Sequence, residues 1–181
     1  CLISRIFFIH NMIEQKKLAA RIIEMVRKDQ AVRLRAYKEN WPLKKRLKIK
    51  KIDEKHCVAM KRIIADYGWP TIRMVGMKGA HAAWMLVQHA DEDPAFQRLC
   101  LGMMQKAFKE KQALPSDVAH LTDRVLLNAK KKQRFGTQFC VRNGVREPYP
   151  IMDSKNVDKR RIEYGLPRIT TAIRAHNALL K

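Results

Sequence analysis

The stretch 79–97, GAHAAWMLVQHADEDPAFQ, constrains the fold of this chain most. Within 80–90 every residue is apolar except His81, Gln88 and His89, and a helix that is apolar all round belongs inside a protein. At about 100° per residue, His81 and Gln88 share nearly one face, and His89 stands about 80° away. Three hydrogen-bonding side chains therefore occupy one sector of a buried helix, and buried polar groups need partners. Asp91 and Asp93 follow in a short turn, and Pro94 opens the next helix. Polar residues from elsewhere in the chain must come to this sector, which makes it the place to expect a site.

The flanking segments read as further helices. Leu18, Ile22, Met25 and Val26 recur at helical spacing and predict a helix over 13–35. Near its end, Asp29, Gln30 and Arg33 read as a solvated face, with Asp29 and Arg33 an i,i+4 pair. Trp41-Pro42 breaks the helix, and 44–51 reads as a solvated, lysine-rich connector. A second helix is expected over 53–67, with Asp53 as N-cap and Val58, Met60, Ile63 and Ile64 inward. Gly68-Trp69-Pro70 ends it, and 72–75 leads through Gly76 and Gly79 into the central helix. The helix over 94–111 is capped by Asp93, with Phe96, Leu99, Cys100, Met103, Met104 and Phe108 inward. The next is capped by Ser116 and buries Val118, Leu121, Val125 and Leu126, with Asp123 and Arg124 in its middle. The segment 133–149 alternates in polarity around Asn143-Gly144, a tight hairpin turn, and places Thr137 and Gln138 near the start of its first strand. Helices over 153–164 and 167–180 complete a mainly α, single-domain bundle of about six helices with one small β-hairpin at about 133–149. Residues 1–11 read as an extension upstream of Met12, and 12–181 as the domain.

Composition narrows the function classes. The 181 residues carry 38 Lys and Arg against 17 Asp and Glu, a net charge of +21, which attracts nucleic acid or other anions. The lysines are spread along the chain, and only Tyr37 and Trp41 lie near the densest run, so no stacking platform for single strands is visible. Apolar runs reach about ten residues, too short for a transmembrane helix. Cys1, Cys57, Cys100 and Cys140 form no CxxC pair, which speaks against a zinc knuckle. They read as reduced thiols of a cytoplasmic protein, with a lipoprotein beginning at Cys1 as the minor alternative.

The strings EMVRKDQAVR (24–33), GWPT (68–71), LVQHADEDPAFQ (86–97), LTDR (121–124), QRFGTQF (133–139) and DKRRIEYGL (158–166) resemble, in this order, a bacterial family of domains of unknown function. The match runs over about 12–178. A tyrosine expected before LTDR is His120 here, lysines replace the glycine turn expected before Gln133, and 44–51 looks like a local elaboration. The resemblance implies a fold and a site but no activity, cofactor or partner.

Four readings follow. In the first the chain is a small, hydrolase-like or ligand-binding domain. Gln88, His89, Asp91, Asp123, Arg124, Gln133, Thr137 and Gln138 then converge at one end of the bundle, His89 acts as general base, Asp91 or Asp123 orients it, and Arg124 binds an anionic group. In the second, a variant of the first, His81, His89, Asp91 and Asp123 hold a divalent metal, although their spacing matches no familiar metal motif. In the third the same residues form a buried, non-catalytic network that fixes helix register. In the fourth the basic surface, 44–51 above all, binds nucleic acid non-specifically.

Overall fold

The computed structural model describes residues 2–39 and 41–178. The described chain is mainly helical: α1 Leu2–Lys38, α2 Leu43–Tyr67, α3 Ile72–Gln88, α4 Pro94–Lys109, α5 Pro115–Asn128, α6 Val157–Glu163 and α7 Ile169–Ala178, with a short 3₁₀ turn at Ser154–Asn156. Between α5 and that turn lies one antiparallel hairpin, β1 Phe139–Arg142 with β2 Val145–Pro148, paired from Phe139↔Pro148 to Arg142↔Val145. Asn143 and Gly144 both have positive φ, 50° and 76°, the backbone that a two-residue hairpin loop needs and that Asn-Gly supplies at least cost. No described helix is long and apolar enough to cross a membrane.

The apolar centre is α3. It packs on α1, α2 and α5, while α4 lies against α5. Ile22 from α1, Met60 and Ile63 from α2, Leu86 and Val87 from α3, Met104 from α4 and Leu121 from α5 are all essentially sealed. Burial of one such side chain is worth about 1.5–3 kcal/mol, so this seam dominates the stability of the bundle. Gly76 interrupts α3 with φ 71° and ψ 169°. Asp93 caps α4 as its position before Pro94 predicts, accepting from Phe96 N–H at 3.0 Å.

Several expectations need correction. The run 44–51 is not a connector: it forms the first turns of α2, which starts after Pro42 and buries Ile49. Lysine is a good helix former, and nothing within the run breaks it. Asp53 consequently lies inside α2 and caps nothing. Ser116 is also not the cap of α5, whose N-cap is Leu114 without a side-chain bond. Val58 and Leu99, expected inward, are 52% and 55% exposed, because each sits at the edge of its helix's apolar stripe. The segment 133–138, expected as strand, is mostly loop. The end of the last expected helix, 179–180, lies outside the described residues.

That loop is held from both sides. Asp123, fully buried, accepts N–H bonds from Arg134 at 2.7 Å, Phe135 at 3.0 Å and Thr137 at 2.9 Å, and the Thr137 hydroxyl at 2.9 Å. From the other side Arg161, 3% exposed, donates to the carbonyls of Phe135 at 2.6 Å, Gly136 at 3.2 Å and Pro167 at 2.6 Å. Gln133 ties the loop to the return strand through Gln138 and Tyr149. Gly136 has φ 68°, backbone that favours glycine, and a Cβ there would lie 2.7 Å from Ile151 Cδ1, so any other residue is strained and requires that side chain to shift. Arg161→Met keeps the apolar stem but leaves three carbonyls without their donor, and is expected to cost about 2–3 kcal/mol in urea unfolding.

Candidate functional site

The residues expected to converge are parted by the C-terminal end of α3 into two neighbourhoods, joined by a polar network at the α3–α4 turn. Gln97, fully buried on α4, donates to the last carbonyls of α3, Val87 at 3.2 Å and Gln88 at 3.1 Å, of which Val87 also accepts from the Ala90 N–H at 3.0 Å. It also reaches Asp91 Oδ1 at 3.2 Å. Arg124 grips Asp91 with two bonds, of 2.9 and 2.8 Å, and donates a third to Gln138 Oε1 at 3.0 Å. Asn128 bridges Asp91 and Gln97. Asp91, Arg124 and Gln138 therefore do come together, but Arg124 already has a carboxylate and an amide as partners. Their combined effect is to fix the turn that carries His89.

His89 turns away from this network toward α1 and α2. Its Nδ1 lies 3.2 Å from Asp29 Oδ2, yet off the line of a hydrogen bond, so the ring nitrogen is buried without an aligned partner. Catalytic hydrogen bonds in ligand-free sites are commonly loose in this way. It is thus Asp29, not Asp91 or Asp123, that stands beside His89. Asp29 is 1% exposed and also accepts from Gln30 at 2.8 Å and from Arg33 at 3.0 Å. The Arg33 guanidinium continues to Asp53 on α2. His56, one turn on from Asp53, adds a second buried ring nitrogen without a partner. The pair Asp29 and Arg33, read from sequence as solvated, is the inner wall of a charged cluster. The overlooked signal was Asp53: an acid one turn from a histidine on a helix whose neighbour carries a cation.

Burial and charge act on these groups in opposite directions. Burial alone would raise Asp29, but His89 and Arg33 outweigh it and hold the carboxyl at about 2, below its ordinary 3.8. Asp53 is raised, because burial exceeds the help from Arg33. Burial pushes His56 down from its ordinary value. Perturbed groups gathered in this way mark functional sites more often than chance. The cluster opens on a cavity of about 190 Å³ lined by Asp53, Glu54, His89, Glu92 and Asp93 among others. In a chain of net charge +21 this acidic rim is a local exception. Glu92 and Asp93 are paired with Lys50 and Lys61, at 3.2 and 2.5 Å. Ligand atoms of Asp29, Asp53 and His89 lie within 4.8 Å of one another, close enough for a shared cation. Arg33 already occupies that role between the two carboxylates.

On the other side of α3, Trp84, Gln88, His120, Thr137 and Gln138 line a larger cleft under the hairpin. Asp123 does not open into either cavity: it is sealed by the loop it holds. His81 is also apart, 45% exposed at its side chain, with Nδ1 3.0 Å from both oxygens of Asp117 and its ring against Trp84. Asp117 is 3% exposed, and burial, only partly countered by His81, raises it to about 6 from 3.8. Between those two values the folded chain keeps a proton that the unfolded chain releases. Stability is therefore expected to fall as pH rises from about 4 to about 6. Melting curves across that range should show the slope, and Asp117→Asn should reduce it to the smaller part that the raised Asp53 contributes.

Comparison with known proteins gives one family match, over residues 16–179, to a family described only as of unknown function, DUF6624. No curated protein and no solved structure matches the chain.

Proposed function

The chain belongs to that family, DUF6624, whose description names no activity; from the geometry of the site we propose that it is a small hydrolase-like enzyme with His89 as general base. The observation that supports this most is the His89 ring beside a buried, ionised Asp29, with its edge on a cavity. A carboxylate beside Nδ1 balances the imidazolium that forms when Nε2 takes a proton, and orients the ring when the bond tightens around bound substrate. Arg33 and Gln30 in turn fix the carboxylate. Nε2 takes a proton from water as the water oxygen bonds to the carbonyl carbon of an ester or amide. The bond to the leaving group then breaks, and the leaving group takes that proton from His89, so that water is added across the scissile bond. Of the rim carboxylates, Asp53, Glu92 and Asp93 are offset by Arg33, Lys50 and Lys61, so Glu54 carries the remaining negative charge and disfavours an anionic substrate. In this proposal Asp91 and Arg124 position the turn that carries His89, and Asp123 serves the fold.

The 4.8 Å grouping of Asp29, Asp53 and His89 supports a second reading, a divalent metal in place of Arg33. The two readings separate on melting temperature. Chelator-treated protein is titrated with zinc and with manganese. The acid–base reading expects no upward shift. A rise that Asp53→Asn abolishes would favour the metal.

A further inference from the structure

We propose that the cleft between α3, α5 and the hairpin binds a small hydroxylated oxyanion, a phosphate monoester or a carboxylate. This site is independent of the His89 centre and does not rest on its assignment. The cleft measures about 530 Å³, the size of a small-molecule pocket. Unlike the cavity across α3, it has no carboxylate among its described lining residues.

Five groups define what fits. Trp84 is 7% exposed, lines the cleft, and has an Nε1–H without a partner. Gln88 Oε1 is likewise buried and without a donor. Arg146, half-buried on β2, lines the same cleft and has no acidic partner among the described residues. His120 Nδ1 lies 2.7 Å from the Ser116 carbonyl. A carbonyl only accepts, so Nδ1 carries the hydrogen and Nε2 is left as an acceptor. His176, with Nδ1 3.1 Å from the Ala172 carbonyl, is placed in the same way, so the residues lining the cleft carry one fixed N–H, one cation and three acceptors.

An apolar ligand would leave the Trp84 donor and the Gln88 acceptor unpaired, which is the costly outcome for buried polar atoms. A cationic ligand would meet Arg146 with no carboxylate to offset it. An oxyanion answers Arg146 and the indole N–H together, and hydroxyls on the same ligand answer Gln88 and His120. Thr137 and Gln138 shape the floor without offering contacts of their own, because the hydroxyl donates to Asp123 and the amide oxygen accepts from Arg124. Phe139 and His176, stacked at 3.8 Å, form a flat side wall.

The test is calorimetric titration of the full chain with ribose 5-phosphate, gluconate, ribose and inorganic phosphate. One of the two hydroxylated oxyanions is expected to bind, the preferred one naming the oxyanion, while neutral ribose does not. Arg146→Gln should weaken that binding at least tenfold without changing the melting temperature, since its side chain makes no hydrogen bond among the described residues. Trp84→Phe, which keeps a ring but removes the N–H, should weaken it several-fold. Absence of binding by both oxyanions would overturn the proposal. So would affinity unchanged in Arg146→Gln, which would mark general attraction to a basic protein. Inorganic phosphate bound as tightly as ribose 5-phosphate would overturn it by removing the hydroxyl contacts.

Discussion

Asp123→Ala is expected to lower the unfolding free energy by about 4 kcal/mol, the largest stability loss of any single side chain outside the apolar seam. The carboxylate satisfies three backbone N–H groups and one hydroxyl at distances of 2.7 to 3.0 Å, and it is wholly out of water. Bonds to a charged acceptor contribute more than neutral ones, and their removal strands buried donors. For a chain of this size the melting temperature should drop by about 10 °C. Asp123→Asn should cost about 2–3 kcal/mol, because one oxygen remains but the amide turns a donor toward donors. Thermal and urea unfolding check both values. A loss below about 1 kcal/mol in Asp123→Ala would mean that the loop does not depend on this clamp. Because the loop delivers Thr137, Gln138 and Phe139 to the cleft, oxyanion binding should weaken alongside stability.

Much of the architecture can be read from local pattern. The apolar run within 80–90 is the buried centre of the bundle, Asp93-Pro94 starts α4, and Asn143-Gly144 turns the hairpin. These features rest on interactions spanning a few residues. What escaped reading depends on which distant element covers a helix face. Asp29 and Arg33 stand one turn apart on α1 and look solvated by spacing alone. They are buried because α2 and the end of α3 close over them, carrying Asp53 and His89. The length of α2 was hidden by its charge: a run of lysines looks like linker, although its backbone preference is helical.

The candidate site shows the same division. The concentration of polar groups around Gln88 and His89 is visible as an interruption of an apolar helix. Their separation is not, since neighbouring residues on one helix diverge by about 100° and here face two different cavities. Gln88 looks into the cleft under the hairpin, while His89 looks toward α1. Asp123 and Arg124, adjacent in sequence, part in the same way, one into the loop clamp and the other onto Asp91. His120, at a position where the family resemblance leads one to expect tyrosine, gives this chain an imidazole in the cleft.

His89→Gln carries the second large expected effect. Positioned general bases contribute about 10²–10⁴-fold to rate, so that loss is predicted for any hydrolysis the chain performs. The fold should tolerate the change well, because His89 Nδ1 has no aligned hydrogen bond among the described residues and Asp29 keeps Arg33 and Gln30 as partners. The most direct measurement is single-turnover hydrolysis of a panel of neutral and cationic chromogenic esters and amides by the wild-type and His89→Gln chains, with melting temperatures recorded beside the rates. The expected result is a rate that falls at least about a hundredfold on substitution while the melting temperature stays within a few degrees. Hydrolysis that is absent, or unaffected by His89→Gln, together with a sharply lower melting temperature, would contradict it and make the cluster a structural one.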